Sequence, residues 1–370
     1  MPRYKLKRLF LLILLPISQL LVFIAKRNPE AVEKYYSQGF YAVLSSAINT
    51  LTCFVQFSLA ELVVIGAILL LIFYIIATII KIIRNPKKRK FYPFYLFLVN
   101  VGTIGAVLVF VFTIFCGLNY YRVSFAEHTG LMTADSTTGD LYELANMLAR
   151  GANSYRDQVE EDEAGVMVLA SGDSADAQAD AFDEARKSIN QLTKDYGVLG
   201  VGSMYFQPKP VRFSSVMSQF GLLGIFFPFT YEANVNVDVP DYIQPAAMVH
   251  ELAHLRGFMQ EEEAEFISYL ACVASGNADF QYSGTMMALR YTLNQLYSDS
   301  PELYQQVYDS LSDGAQADMQ ARAAYWRQYQ GVGQAISTMA NDVYLKANDQ
   351  PSGTKSYGQM VDLLLAYYAE

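Results

Sequence analysis

Residues 244–266 read QPAAMVHELAHLRGFMQEEEAEF and hold two of the chain's three histidines, His250 and His254, with Glu251 between them. Pro245 suits the first turn of a helix and Gly257 a left-handed stop, so the spacing predicts a helix that carries all three. Residues four apart share a helix face. Both imidazoles can then reach one ion, while Glu251 projects about 100° away, toward the ion's open side. Zinc takes neutral imidazole nitrogen, and a catalytic zinc site keeps one position for water. The ion lowers that water's pKa, and a neighbouring carboxylate takes its proton. The rest of the helix is apolar (Ala246, Ala247, Met248, Val249, Leu252, Ala253, Leu255). Polar groups on so apolar a helix need partners. The expected cofactor is Zn2+, held by His250 and His254, with Glu251 as general base.

Downstream, a new helix is expected from Glu261-Glu262-Glu263-Ala264-Glu265. Acidic residues suit a helix N-terminus through its dipole, and a third zinc ligand is also needed. His128 lies far upstream and is read as incidental, and Gln260 stands where metzincins place a third histidine. The Glu-x-x-Ala-Glu run is similar to the Glu-x-x-Ala-Asp signature on the second helix of membrane gluzincins. That resemblance implies Glu261 as third ligand, with Glu263 as the alternative and Glu265 as a partner to a ligand histidine.

A wider resemblance takes in His250–Phe258, Glu261, Glu263-Ala264 and Phe266. It continues through Pro228-Phe229-Thr230, Glu232-Ala233-Asn234, Asn236, Asp342–Asn348, Ser356-Tyr357-Gly358 and Val32–Ser37. The chain resembles an uncharacterised bacterial family of multi-span membrane proteins, a domain-of-unknown-function family placed near zinc peptidases. Glu265 stands where that family more often has asparagine. The resemblance implies a gluzincin-like ectodomain and names no substrate.

The N-terminal third has a different composition. Residues 1–119 carry 13 Lys/Arg and three acids; residues 120–370 carry 14 Lys/Arg and 33 acids. Uncharged runs at 9–25, 62–80 and 92–119 reach or approach the roughly 20 apolar residues that cross a bilayer. Three transmembrane helices are expected, near 9–25, 62–80 and 94–118, the first as an uncleaved anchor followed by Lys26-Arg27-Asn28-Pro29. Arg3, Lys5, Lys7 and Arg8 precede the first span, and Lys81, Arg84, Lys87, Lys88, Arg89 and Lys90 lie between the second and third. Both segments should face the cytoplasm. The segment at roughly 27–58 is then outside, expected as an amphipathic helix lying on the membrane. Everything after Tyr120 is extracytoplasmic.

In the body, apolar spacing predicts helices at 139–151 and 180–196. The acidic stretch 158–179 between them reads as a flexible insertion. Strands are expected at Val201–Gln207 and Ala233–Val239, the second able to take an extended substrate by strand addition. Asn234 and Asn236 alternatively serve as turn or cap residues. Further helices are expected at about 260–275, 283–298, 301–312, 314–330, 331–346 and 359–369. Tyr357 is the first choice to stabilise an oxyanion, with Tyr242 and Tyr344 as others. Trp326, Tyr325 and Tyr329 read as core, and Cys53, Cys116 and Cys272 as small hydrophobes.

The expected fold is thus an α-helical membrane region, 1–119, followed by a mainly helical α+β zincin-like extracytoplasmic domain, 120–370. The expected protein is a multi-pass zinc peptidase of a bacterial cytoplasmic membrane, with lipid and an extracytoplasmic peptide or protein substrate as partners. The alternative is a metal-binding sensor or scaffold for envelope proteins. The acidity of the body argues against nucleic acid, whose binding needs a basic face.

Overall fold

The computed structural model describes residues 8–86, 90–134, 136–170, 175–202, 205–350, 353 and 358–369. The chain is mostly helical. Its first helices are α1 (Phe10–Ala25) and α2 (Pro29–Thr52), which meet at a bend of 106°. Then come α3 (Leu59–Arg84) and α4 (Tyr92–Phe115). At 1.5 Å per residue α3 is about 39 Å long and α4 about 36 Å, enough to cross a hydrocarbon core of about 30 Å. Leu62, Leu70, Ile72, Phe73, Leu98 and Ile104 all face outward, as a lipid-facing surface requires. Among the described residues two helices are long and apolar enough to cross a membrane, and a third crosses only if α1 and α2 count as one bent span. The expected first span is the shortfall: α1 alone, at 16 residues, reaches only about 24 Å.

α2 departs from the expectation of a helix merely lying on lipid. Its residues Glu33, Ser37, Tyr41, Ser45 and Asn49 are buried, one every four positions. An α-helix rotates such a stripe by about 40° per step. A π-helical stretch over Val32–Tyr41 widens the turn and keeps the stripe on one side. That side docks on the body. Arg122 binds Glu33 through two bonds of 2.7 Å. Ser37 Oγ donates to Asn119 at 2.7 Å, and Asn49 donates to the Tyr231 carbonyl at 2.6 Å. Tyr35, Phe40, Val43 and Leu51 remain exposed on the other side. Residues 29–52 thus pack with the body, across the expected domain boundary at 119/120.

The body contains α5 (Thr138–Arg156), a hairpin of β1 (Glu160–Glu161) and β2 (Met167–Val168), and α6 (Ala175–Leu192). A three-stranded sheet follows: β3 (Lys209–Pro210), β4 (Gly224–Phe227) and β5 (Glu232–Val235). Its order is β3-β5-β4, with β5 parallel to β3 and antiparallel to β4. Then come α7 (Gln244–Leu255), α8 (Glu261–Ala274), α9 (Ala278–Asp299), α10 (Pro301–Asp309), α11 (Asp313–Gln328), α12 (Val332–Ala347) and α13 (Met360–Ala369). α7 is sandwiched between β4 and β5 on one side and α6, α8 and α9 on the other. Met248, Val249, Leu252, Ala253 and Leu255 are buried in that sandwich.

Three expectations for the body are corrected. The acidic stretch 158–179 is, over its described residues, a tied hairpin followed by the start of α6. Asp318 accepts from the Met167 amide at 2.7 Å and from Arg156 at 2.8 Å, while Asp241 and Asp279 accept from the Leu169 and Ala170 amides. Acidic partners elsewhere in the chain, invisible in a local window, order this segment. No strand forms over the described part of 201–207; Gly202 has φ +85°, which breaks an extended run. The strand expected at Ala233–Val239 ends at Val235, because the Asn236 side chain caps the turn by accepting from the Asp238 amide.

The sheet is also bolted to α3. The Glu232 carboxylate accepts from Lys209 Nζ at 2.5 Å and from the Ala60 amide at 2.7 Å, all of it buried. Removing one partner of such a buried pair costs about 3–5 kcal/mol.

Candidate metal centre

α7 presents His250 and His254 one turn apart, with ring centroids 4.6 Å from each other. The chain then reverses at Gly257, whose φ of +88° no side-chain-bearing residue adopts easily. A Cβ there would also press on Arg122, Asn119 and Tyr41 at 3.1–3.3 Å. The reversal brings the first turn of α8 back over the histidines. Glu261 Oε2 lies 3.3 Å from His250 Nε2 and 3.7 Å from His254 Nε2. The three ligand atoms all fall within 4.8 Å of one another, and all three residues are nearly or fully buried.

The surrounding contacts aim the ligands. His254 Nδ1 sits 2.7 Å from the Phe258 carbonyl. A carbonyl can only accept, so Nδ1 carries the hydrogen and Nε2 is left as the coordinating atom. Glu265 Oε2 lies 3.6 Å from His250 Nδ1, and its other oxygen accepts from Tyr291 at 2.6 Å. Glu265 therefore stands where a partner to a ligand histidine belongs. Glu263 turns away: it accepts from the Phe125 amide at 2.5 Å, and burial pushes its carboxyl up to about 8. The structure thus assembles the Glu261 set and commits Glu263 elsewhere.

The charges fit a cation. Burial opposes ionisation of Glu261 and Glu265, but the adjacent histidines overcome it and hold both carboxyls low. Burial likewise opposes charging of His250, and Glu265 and Glu261 overcome it and raise its pKa. Carboxylates held ionised beside two imidazoles make a site that favours positive charge, such as that of a divalent cation. Two nitrogens and one carboxylate oxygen are donors that suit zinc. His250 Nδ1 and Glu251 Oε2 are buried and lack a hydrogen-bond partner among the described residues.

Glu251 is buried beside the cluster, and burial raises its carboxyl to about 7. A Cβ on Gly224 of β4 would overlap its carboxyl group. β4 is an edge strand of the sheet, as β3 is on the other side; β5, expected as the substrate strand, is central and has both sides paired. The Asn236 amide donates to the Leu223 carbonyl, so in this antiparallel pairing the amides and carbonyls of Gly224 and Phe226 point away from β5. Asn234 and Asn236 are buried and serve the backbone, donating to the Ile225 and Leu222 carbonyls.

A cavity of about 700 Å³ opens beside Glu251 and His250. Tyr242 lines it, whereas Tyr344 is held by Tyr120 at 2.9 Å. Tyr357 lies outside the described residues. Trp326 and Tyr325, expected in the core, are half-buried and pack against it; Trp326 also forms cavity wall, and Tyr325 donates to Asp238 at 2.8 Å. His128 lies 3.5 Å from Glu33, away from the cluster.

Three wall residues escaped the sequence reading: Gly224, Arg290 and Arg322. For Arg290 a signal existed. Residues 257–321 hold ten Asp/Glu and a single basic residue, Arg290.

The family described as "Protein of unknown function (DUF3810)" matches residues 36–365. The chain belongs to that family. The match begins inside α2 and ends inside α13, so it takes in the metal cluster, the sheet and the two long apolar helices. No curated protein and no solved structure matches the chain.

Proposed function

We propose that this protein is a membrane-anchored zinc peptidase of gluzincin type whose site lies outside the cytoplasmic membrane. One observation carries the reading: His250, His254 and Glu261 converge within 4.8 Å while Glu251 sits between them and an open strand edge. His250 Nε2, His254 Nε2 and Glu261 Oε2 would hold the zinc. When bound, zinc supplies Lewis-acid polarisation and acidifies water at neutral pH. Glu251 takes the proton of the attacking water and returns it to the leaving amine. The outward amides and carbonyls of Gly224 and Phe226 align an extended peptide along β4, so that its carbonyl passes Glu251. A structural zinc site needs neither a buried, partnerless glutamate nor an adjoining strand edge.

The arrangement of spans supports the topology. α3 starts and α4 ends at the body, at Glu232 and at Tyr231, whose hydroxyl donates to the Phe115 carbonyl. Lys81 and Arg84 are at the opposite end of α3, the end expected in the cytoplasm.

The test uses the full-length chain in detergent, because α2 packs on the body. Glu251→Gln should keep its zinc and lose cleavage of a peptide library by about 10²–10⁴-fold. His254→Ala should lose both metal and cleavage. Equal cleavage by the parent and Glu251→Gln would exclude the mechanism, and a zinc-loaded parent that cuts nothing would favour a sensor or scaffold.

A further inference from the structure

Two guanidinium groups in the cavity beside Glu251 have no role in the chemistry above. Arg290 comes from α9 and Arg322 from α11, and both line the cavity while remaining half-buried. Arg290 lies over the Tyr291 ring, 3.8 Å from its centroid, close to Glu265. Arg322 makes no ion pair or hydrogen bond among the described residues.

The other buried arginines of the body are different. Arg122 has Glu33, Arg156 has Asp318 and Glu161, and Arg256 has the Val201 carbonyl and Asn190. Burial opposes the charge of Arg290, but Tyr291 and the Glu265 carboxylate beside it raise its pKa. Arg322 has no ion pair among the described residues, and burial and the Arg290 charge push its pKa down to about 10. An anionic ligand at Arg322 would offset both. Among the described wall residues the carboxylates are Glu251 and Glu265 at the metal end, Glu265 being the one beside Arg290, and α12 contributes the neutral side chains Gln334, Ser337 and Thr338. Guanidinium forks match the two oxygens of a carboxylate.

We propose that Arg290 and Arg322 form a subsite that binds a carboxylate of the peptide substrate, either its C-terminus or an acidic side chain. The proposal rests on the peptidase reading and gives it a substrate class. A C-terminal carboxylate in the same cavity as Glu251 makes the enzyme a carboxypeptidase. An acidic side chain there makes it an endopeptidase selective for acidic sequences.

The test reads binding, separately from cleavage. Full-length Glu251→Gln protein in detergent, with and without zinc, is offered pools of N-acetylated hexapeptides. One pool ends in a free carboxylate, a second is amidated, and two further amidated pools carry Glu or Gln at an internal position. Retained peptides are quantified by mass spectrometry. The free-acid pool should be retained about 10- to 100-fold better than the amide, the span of a charge-assisted hydrogen bond. Arg322→Gln should collapse that ratio to about one, and Arg322→Lys should restore part of it, a point charge without the fork. Zinc content and melting temperature of each variant establish that it is folded. If the Glu pool exceeds the Gln pool while free acid and amide tie, the carboxylate is a side chain. No preference in either comparison, no retention of any pool, or a preference that survives Arg322→Gln overturns the subsite. Carboxylate binding by a parent that cleaves nothing would remove the peptidase reading and leave the subsite standing. Glu251-dependent cleavage without carboxylate preference would do the reverse.

Discussion

Gly224 lies directly against Glu251: the space that a Cβ on Gly224 would occupy is filled by the Glu251 carboxyl group. Glycine here serves close approach, which lets the edge strand β4 run past the proposed general base. The φ at this position is not in the left-handed region, so backbone freedom is not the reason.

Gly224→Ala should therefore displace Glu251 without touching any metal ligand. Cleavage is expected to fall at least about 10-fold, the effect of misplacing a catalytic group by a fraction of an ångström to an ångström. Stability should drop by about 1–3 kcal/mol, as in an overpacked core. Zinc content by elemental analysis should stay at the parent's value. An alanine variant with full activity would show that Glu251 and the strand need not be in contact.

The two glutamates at 261 and 263 should separate cleanly. Glu261→Ala should lose most of the zinc, because two histidines alone hold it poorly. Glu263→Ala should keep the zinc and instead lower stability by about 1–3 kcal/mol, since the buried Phe125 amide loses its acceptor. Zinc titration and thermal melts of both variants measure this, and a reversed pattern would reassign the third ligand to Glu263.

Metal should also stabilise the fold. His250, His254 and Glu261 are assembled only when α7 and α8 pack, so zinc binds the native state far better than the unfolded chain. At free zinc about 100 times its dissociation constant, stabilisation of about 2.7 kcal/mol is expected. Chelation should reverse it, and a melting temperature indifferent to chelator would deny a metal at this site.

The topology can be read from Asp313, which is exposed at the start of α11. Gly314 next to it is unsuitable, because a side chain there would press on Arg156 at 2.8 Å. In a chain with the exposed Cys53 replaced by serine, Asp313→Cys should react with an impermeant thiol reagent on intact cells. Labelling only after lysis would place the body in the cytoplasm.

The parts of this protein that could be read without a structure are those set by local physics. His250, Glu251 and His254 share a helix because helical geometry alone fixes four-residue spacing. The long apolar helices follow from runs of uncharged residues, and the turn at Gly257 from a glycine behind a helix. Where tertiary partners decide, the reading stopped. The acidic stretch 158–179 looked like a solvated insertion, but Asp318, Asp241 and Asp279 bind its backbone from elsewhere in the chain. Trp326 carries the same apolar spacing whether it faces a core or a cavity.

The sequence by itself determined that His250, Glu251 and His254 share one helix, and the division into an apolar, cationic head and an acidic body. Only the tertiary structure decided that Glu261 rather than Glu263 faces the two histidines, because residues two apart on a helix point to different sides and the packing of α8 on α7 chooses the side. It also decided that β4 lies at an edge of the sheet and β5 at its centre, because strand order depends on pairing partners distant in the chain. The same holds for Arg290 and Arg322, 32 positions apart. Their juxtaposition comes from the packing of two separate helices around one cavity, which no local pattern encodes.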